Sequence, residues 1–349
     1  MQVSYILTVG PSRLRPVLLY CSLLFTIPIQ ANPPQTIGRV TTERELGIQL
    51  YKKGDFKGAL THLQTAVTLK KDDADAWYYL GLALNRDSQV KQASRAYETA
   101  VKLRPNFASA RAGLAFTFLL RNKLNEALGE AKRALNLDSN SVDAHFIIGV
   151  VRLRNGDNRS SLEEANTAIR LDPSFAQGYL LKSQALVSFF QGTEIAPENE
   201  PPEERLARYK AAAESLDKYL KLSPGTKKED VWRQQLEALQ FSAGLMEKTG
   251  RESTIFSSRE VSVKARVLSK PEPAYTEKAR QNQVTGTVVL RAIFSAEGQV
   301  KYIIVVRGLP DGLTEVAIAA ARKIKFVPAM KDGKSVSTFV QLEYNFDLY

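Results

Sequence analysis

Val336-Ser-Thr-Phe-Val-Gln-Leu-Glu-Tyr-Asn-Phe-Asp-Leu-Tyr349 closes the chain, and its reading decides the fold of the carboxyl-terminal part. Val336, Thr338, Val340, Leu342, Tyr344, Phe346 and Leu348 fall on one side. Ser337, Gln341, Glu343, Asn345 and Asp347 fall on the other, interrupted only by Phe339. That alternation is the period of a strand with one buried and one wet face; a helix would scatter the apolar residues around its circumference. Upstream, residues 286–295 and 299–307 are strand-like and meet at Ala296-Glu297-Gly298. A glycine in a short polar loop between β-branched runs predicts a hairpin. Residues 311–326 carry Leu313, Val316, Ala317, Ala320 and Ile324 at spacings of three and four, the stripe of an amphipathic helix. Glu315 near its start and Lys323 and Lys325 near its end suit the macrodipole, and Pro328 stops it.

The order strand, strand, helix, strand restricts the sheet. The last strand runs antiparallel to the first, so pairing between them puts the first in the middle and leaves the last as an edge. A long edge is a liability unless covered or used, and its natural use is pairing with an extended peptide. The main chain of Ser337, Thr338, Phe339, Val340, Gln341, Leu342 and Glu343 is the candidate binding strand.

Tyr275-Thr-Glu-Lys-Ala-Arg280, Gly286-Thr-Val-Val, Glu297-Gly-Gln-Val300, Ala317-Ile-Ala-Ala-Ala-Arg322, Lys325-Phe-Val-Pro-Ala329 and Lys331-Asp-Gly-Lys-Ser-Val336 resemble the TonB C-terminal domain, in order, over residues 267–349. The resemblance implies a small periplasmic α+β domain with an antiparallel three-stranded sheet. In that family the edge strand captures a short peptide of an outer-membrane TonB-dependent receptor. One departure is Thr276, where the family usually has proline; threonine is a good N-cap, so a small helix over 277–281 can still start.

Between Val40 and Phe175 the chain repeats with a period of 34. Leu46-Gly47, Gly54, Ala59 and Ala66 form one copy. Trp77, Leu80-Gly81, Ser88, Ala93, Tyr97, Ala100 and Pro105 form the next, followed by Leu114-Ala115, Asn122, Ala127, Ala131 and Ala134, then Ile148-Gly149, Gly156, Ala165, Ala168 and Pro173. Small residues at the contact positions let antiparallel helices approach, and turn formers end each helix. The pattern resembles tetratricopeptide repeats, whose helix pairs must stack to bury their apolar faces. A fifth, degenerate copy starts at Ala176, with its second helix over 203–222 displaced by a Pro- and Glu-rich loop, 191–202; residues 229–248 read as a capping helix. The resemblance implies that the first helix of each pair lines a concave groove. By repeat position that face presents Arg44, Tyr51, Lys52, Tyr78, Asn85, Arg86, Phe116, Phe146 and Arg154.

The expected division is therefore 1–31 for a targeting segment, 40–248 for an all-α solenoid, 249–266 for a linker, and 267–349 for the small α+β domain. Across the junction Arg251–Lys270, Val261, Val263, Ala265 and Val267 alternate, so part of it is a candidate strand against an edge of the sheet; it would then have to move for that edge to bind anything. Arg13 and Arg15 precede an apolar run ending near Ile29, then Gln30-Ala31-Asn32. A basic flank, a short apolar run and a small residue fit a secretory signal, and the run falls short of the ~20 residues of a membrane span. Cleavage gives a periplasmic protein; retention gives an inner-membrane anchor. No histidine precedes His62, and the Pro-rich spacer of energy-transducing TonB proteins is missing.

The net charge is +11 with pI near 9.5, which favours acidic partners or an anionic surface, but no basic motif interleaved with aromatics points to nucleic acid. The one cysteine, Cys21, lies in the amino-terminal run, so a mature chain has no disulfide framework and no cysteine zinc site. His62 and His145 lack companions at metal spacing, and no phosphate-cradling loop, His-Glu-x-x-His or Gly-x-Ser-x-Gly occurs. No cofactor, metal or catalytic residue is expected, and binding is the chemistry that survives. The leading expectation is a periplasmic adaptor whose repeats hold a protein partner while the last strand takes a receptor peptide. An energy transducer anchored in the inner membrane, and an envelope scaffold that dimerises through its carboxyl-terminal domain, are the alternatives.

Overall fold

A computed structural model describes residues 34–189, 201–226, 228–249 and 255–348. The amino-terminal apolar run, most of the Pro- and Glu-rich loop and the start of the linker lie outside the described residues. No described helix is long and apolar enough to cross a membrane.

Eleven helices come first: α1 Pro34–Lys53, α2 Phe56–Leu69, α3 Ala74–Arg86, α4 Val90–Leu103, α5 Ala108–Leu120, α6 Leu124–Leu137, α7 Val142–Arg154, α8 Asn158–Leu171, α9 Ala176–Ser188, α10 Pro202–Leu222 and α11 Glu229–Thr249. They form a tetratricopeptide-type solenoid of antiparallel pairs. Within each pair the turn passes through the left-handed region at Gly54, Ser88, Asn122 and Gly156, one period apart, with φ of 84°, 62°, 57° and 83°. Ala66, Ala100, Ala134 and Ala168 are wholly buried where the helices cross. Tyr97 is also wholly buried, and a methyl group added at Gly81 or Gly113 would come within 2.7 or 2.6 Å of its ring.

Two side-chain devices repeat with the same period. Trp77, Arg111, His145 and Tyr179 each reach the carbonyl six residues back, at Lys71, Pro105, Ser139 and Pro173, so four chemically different donors close one kind of inter-repeat turn. Nineteen residues on from three equivalent positions, hydrogen-bonded pairs join the two helices of a repeat: Glu43–His62, Arg111–Glu130 and His145–Glu164. Both histidines thus belong to the helix-pair framework.

The carboxyl-terminal part comprises β1 Ile255–Phe256, β2 Arg266–Ser269, α12 Glu277–Gln281, β3 Gly286–Phe294, β4 Val300–Arg307, α13 Leu313–Ala321, β5 Lys325–Val327, β6 Ala329–Lys331 and β7 Lys334–Phe346. The sheet order is β1-β7-β3-β4, with β6 folded back on the start of β7 and β2 paired with β5 as a separate ribbon. The antiparallel core β7-β3-β4 has β3 in the middle, in register from Gly286 opposite Phe346 to Phe294 opposite Thr338. Thr276 caps α12 by accepting from the Ala279 N–H. Helix α13 is shorter than the apolar stripe suggests. It ends at Ala321, and Lys325, Phe326 and Val327 alternate out, in, out as a strand, with Phe326 stacked on Phe294 at 3.9 Å.

Helices α12 and α13 cover one face of the sheet, and the solenoid covers the other. Val289, Ile304 and Val306 share a core with Tyr209, Leu216 and Leu239 of α10 and α11. The segment β3 is therefore buried on both faces, as its nearly continuous apolar run requires. Its exception, Arg291, donates to the Tyr209 hydroxyl at 2.7 Å and lies over the Phe339 ring at 4.3 Å. Gln235 of α11 donates to the Ile303 carbonyl at 2.6 Å and accepts from the Val305 N–H at 2.8 Å, while Ser188 of α9 donates to the Val306 carbonyl at 2.8 Å. A side-chain amide there plays the part of a neighbouring strand. Tyr302, at φ 50° within the irregular stretch of β4, stacks on Phe241 at 3.8 Å.

Candidate peptide-binding rim and solenoid groove

Strand β7 presents its buried side chains, Thr338, Leu342, Tyr344 and Phe346, to the α12–α13 core, with Val340 half-buried among them; Gln341, Glu343 and Asn345 are exposed on the other face. One edge of β7 pairs with β3. Along the other edge, β1 runs parallel to it over two residues only, Ile255 against Ser337 and Phe256 against Thr338. The start of the candidate strand is thus already taken by the chain's own linker segment. From 339 to 345 no described strand pairs with this outer edge.

The Glu343 carbonyl marks the outward direction: it accepts a 2.7 Å bond from Lys270 Nζ. Alternation then turns the main-chain groups of Phe339, Gln341 and Asn345 outward too, and those of Val340, Leu342 and Tyr344 toward β3. The Lys270 ammonium also stands 4.5 Å from the Tyr344 ring centroid. Burial pushes the Tyr344 phenol up to about 12, helped by the charge of Glu272, and its hydroxyl has no hydrogen-bond partner. The Thr338 hydroxyl is likewise buried without a partner.

The solenoid residues expected in the groove divide. Tyr51, Tyr78, Asn85 and Arg86 gather around two rings: Tyr51 and Arg86 approach Phe56, Tyr78 approaches Tyr97, and Asn85 Nδ2 donates to the Tyr97 hydroxyl at 3.3 Å. Asn85 Oδ1 is buried and unpartnered. Burial pushes the Tyr78 phenol up to about 12, with Asp143 adding to the effect. Asp143 belongs to this group although the sequence reading passed over it. Partial desolvation by its neighbours raises its carboxyl above the usual range, opposed by Arg86, although the residue keeps an exposed surface. Lys52 stands exposed nearby in sequence, and Phe116 of α5 packs half-buried against the core that α5, α6 and α7 share.

Three residues have other surroundings. Arg44 is spent on Asp73, the N-cap of α3, at 2.9 Å. Phe146 packs edge-on at 5.4 Å against Phe175, the last residue of its own 34-residue copy and the N-cap of α9. Arg154 reaches back to the Leu119 carbonyl at 3.4 Å and Asn122 Oδ1 at 3.5 Å; burial lowers its guanidinium's pKa, opposed by the charge of Asp311 from the loop before α13. Beside it, Asn282 Nδ2 donates to Asp311 at 2.8 Å and reaches the Leu120 carbonyl at 3.4 Å. At position 120 the groove therefore meets the protein's own second unit. Among the described residues no cluster could hold a metal ion.

A family model described as Gram-negative bacterial TonB protein C-terminal matches residues 271–348, and one described as TPR repeat matches residues 47–88. A comparison with curated proteins gives no match. Among solved structures, a thermophilic TPR protein of Thermus thermophilus is 19% identical over 58% of this chain and 99% of its own, with a TM-score of 0.44. PilF of Pseudomonas aeruginosa is 16% identical over 63% of this chain and 95% of its own, with a TM-score of 0.45. Both matched families are interaction modules, so the chain's partners are of protein or peptide kind. The chain is a tetratricopeptide-repeat solenoid that carries a TonB-like carboxyl-terminal domain.

Proposed function

We propose that the protein is a periplasmic adaptor that receives an extended peptide of an outer-membrane receptor along β7 while its solenoid holds a protein partner. The observation that carries this reading is the unequal treatment of the sheet's two edges. Gln235 and Ser188 close β4, whereas the outer edge of β7 is strand-free from 339 to 345 among the described residues. Sheets do not leave such a row of peptide groups open without a use. Strand addition meets them with main-chain bonds, and alternate side chains supply selectivity. The partner of the solenoid engages its amino-terminal half, at Tyr51, Tyr78, Asn85, Arg86 and Asp143, because further along Asn282 of the second unit already meets the Leu120 carbonyl. Aromatic and arginine side chains are the usual anchors of such interfaces.

The test is photocrosslinking from position 343 in intact cells, with and without Gln341→Pro. The Gln341 N–H points outward, so proline there removes a donor to the guest and spares the β3 ladder. An adduct with an outer-membrane receptor that disappears in Gln341→Pro supports the reading. Adducts unchanged by that substitution, or none at all, sink it.

A further inference from the structure

We infer that the ribbon of β2 and β5 is a membrane-contact surface, which lays its aliphatic side chains and cations on a phospholipid leaflet carrying anionic headgroups. The inference goes beyond the peptide reading and does not depend on it. Strand β2 pairs with β5 apart from the main sheet, and it is exposed along its whole length. Next to it Val263 and Met330 exchange both main-chain bonds, at 3.0 and 2.8 Å, so the ribbon continues to β6.

Val263 and Leu268 are the most exposed large apolar side chains among the described residues, at 55% and 56%. Val267, Val327 and Met330 are exposed beside them. The register sets aliphatic groups next to one another and next to cations: Val263 lies opposite Met330, Arg266 opposite Val327, and Ser269 opposite Lys325. Directly opposed residues of an antiparallel pair share a face. An apolar patch of this kind, rimmed by polar groups, marks a surface that something covers.

Charge names the cover. Residues 261–270 contribute Lys264, Arg266 and Lys270, residues 323–331 contribute Lys323, Lys325 and Lys331, and neither stretch holds a carboxylate. Among the described residues Lys264, Arg266, Lys323 and Lys325 form no ion pair. Asp332, at the turn that follows, is outnumbered. A protein partner is the poorer fit, because the two stretches contain no tyrosine or tryptophan and lysine is depleted from protein interfaces. Cations around aliphatic side chains match a lipid surface, where binding grows with the apolar area buried and with attraction to anionic headgroups. The net charge of +11 has the same sign.

The experiment uses the full-length protein with Cys21→Ser, which removes the one native thiol, and Leu268→Cys labelled with the environment-sensitive fluorophore nitrobenzoxadiazole. A matched protein carries the label at Leu137→Cys, an exposed position at the end of α6. The probe reads its own surroundings, so attachment of the chain through its amino-terminal run does not imitate the result. Vesicles of equal parts phosphatidylcholine and phosphatidylglycerol should raise and blue-shift the emission from position 268 and not from 137. Phosphatidylcholine alone should do neither. Arg266→Gln and Lys325→Gln should each raise the lipid concentration at half-effect about fivefold, and added salt should act in the same direction. A silent probe at 268, equal signals at 268 and 137, equal signals on both kinds of vesicle, or a half-effect unmoved by both substitutions overturns the inference. A signal at 268 that grows with protein concentration in the absence of vesicles assigns the patch to a second copy of the chain and overturns it too.

Discussion

Gln235 holds the Ile303 carbonyl at 2.6 Å and, through its other amide atom, the Val305 N–H two residues along. One side chain of the last solenoid helix thereby satisfies two peptide groups on the outer edge of β4, at a buried position. The link explains why the two units meet through a shared core instead of a free linker: the sheet edge is completed by a helix from outside the domain.

Gln235→Leu is expected to destabilise the protein by about 2 kcal/mol, because it leaves a buried carbonyl and a buried N–H without partners. Urea unfolding monitored by far-UV circular dichroism measures this. Loss below about half a kcal/mol would mean that water replaces both bonds.

Residues 255–349 expressed alone are expected to self-associate. Removing α9–α11 bares Val289, Ile304 and Val306 together with the open β4 edge, and both invite a second copy. A fragment beginning at α9 should stay monomeric. Light scattering on the two fragments distinguishes these outcomes. A monomeric short fragment would mean that the shared core contributes little to the domain's solubility.

The repeats were legible because their marks are local and periodic. Ala66, Ala100, Ala134 and Ala168 are small for one reason, and Gly54 and Gly156 sit where φ is positive. The alternation from Thr338 to Phe346 was equally plain, since one face of β7 meets a core and the other meets water. Contacts between distant segments were not legible in the same way. Nothing in the periodicity of α11 marks Gln235 as an edge cap, and two residues are too short a pattern to announce β1. Ile324 continues the helical stripe of α13 after the helix has ended, because the same hydrophobic core receives both. Arg154 carries a groove position's number, but its surroundings depend on Asp311, far along the chain.

The turn positions give a prediction of opposite sign within one repeat family. Ser88 and Asn122 hold φ near 60° where the neighbouring repeats place glycine. Ser88→Gly is expected to stabilise the protein by about 1 kcal/mol, through relief of left-handed strain, and Gly156→Ala to cost about as much. Among the described residues the Ser88 hydroxyl takes part in no hydrogen bond, so little opposes the gain. Thermal unfolding of the two variants side by side provides the check.

Gly113 faces a different constraint, since an added methyl group would lie 2.6 Å from the wholly buried Tyr97 ring, which also packs against Gly81. Gly113→Ala must push that ring toward α3, and overpacking of this kind costs about 1–3 kcal/mol. Any gain in helix propensity, about 1 kcal/mol, is smaller than the upper part of that range. A stabilised Gly113→Ala variant would show that Tyr97 can move freely.

Tyr344 joins stability to pH. Its phenol is raised to about 12 by burial, so the neutral form is favoured in the folded protein. A group whose folded value lies above its unfolded value of about 10 contributes fully below pH 10, and that contribution is lost as pH climbs toward 12. Tyr78 has the same sign for the same principal reason. Because the Tyr344 hydroxyl is buried with no partner, Tyr344→Phe removes an unsatisfied polar group while keeping the ring under Lys270. The variant is expected to gain about 1 kcal/mol at neutral pH and to lose stability less steeply between pH 10 and 12. Urea midpoints measured at pH 8, 10 and 11 for the parent and the variant decide it. Parallel curves at all three values would mean that Tyr344 ionises as readily in the folded chain as in the unfolded one.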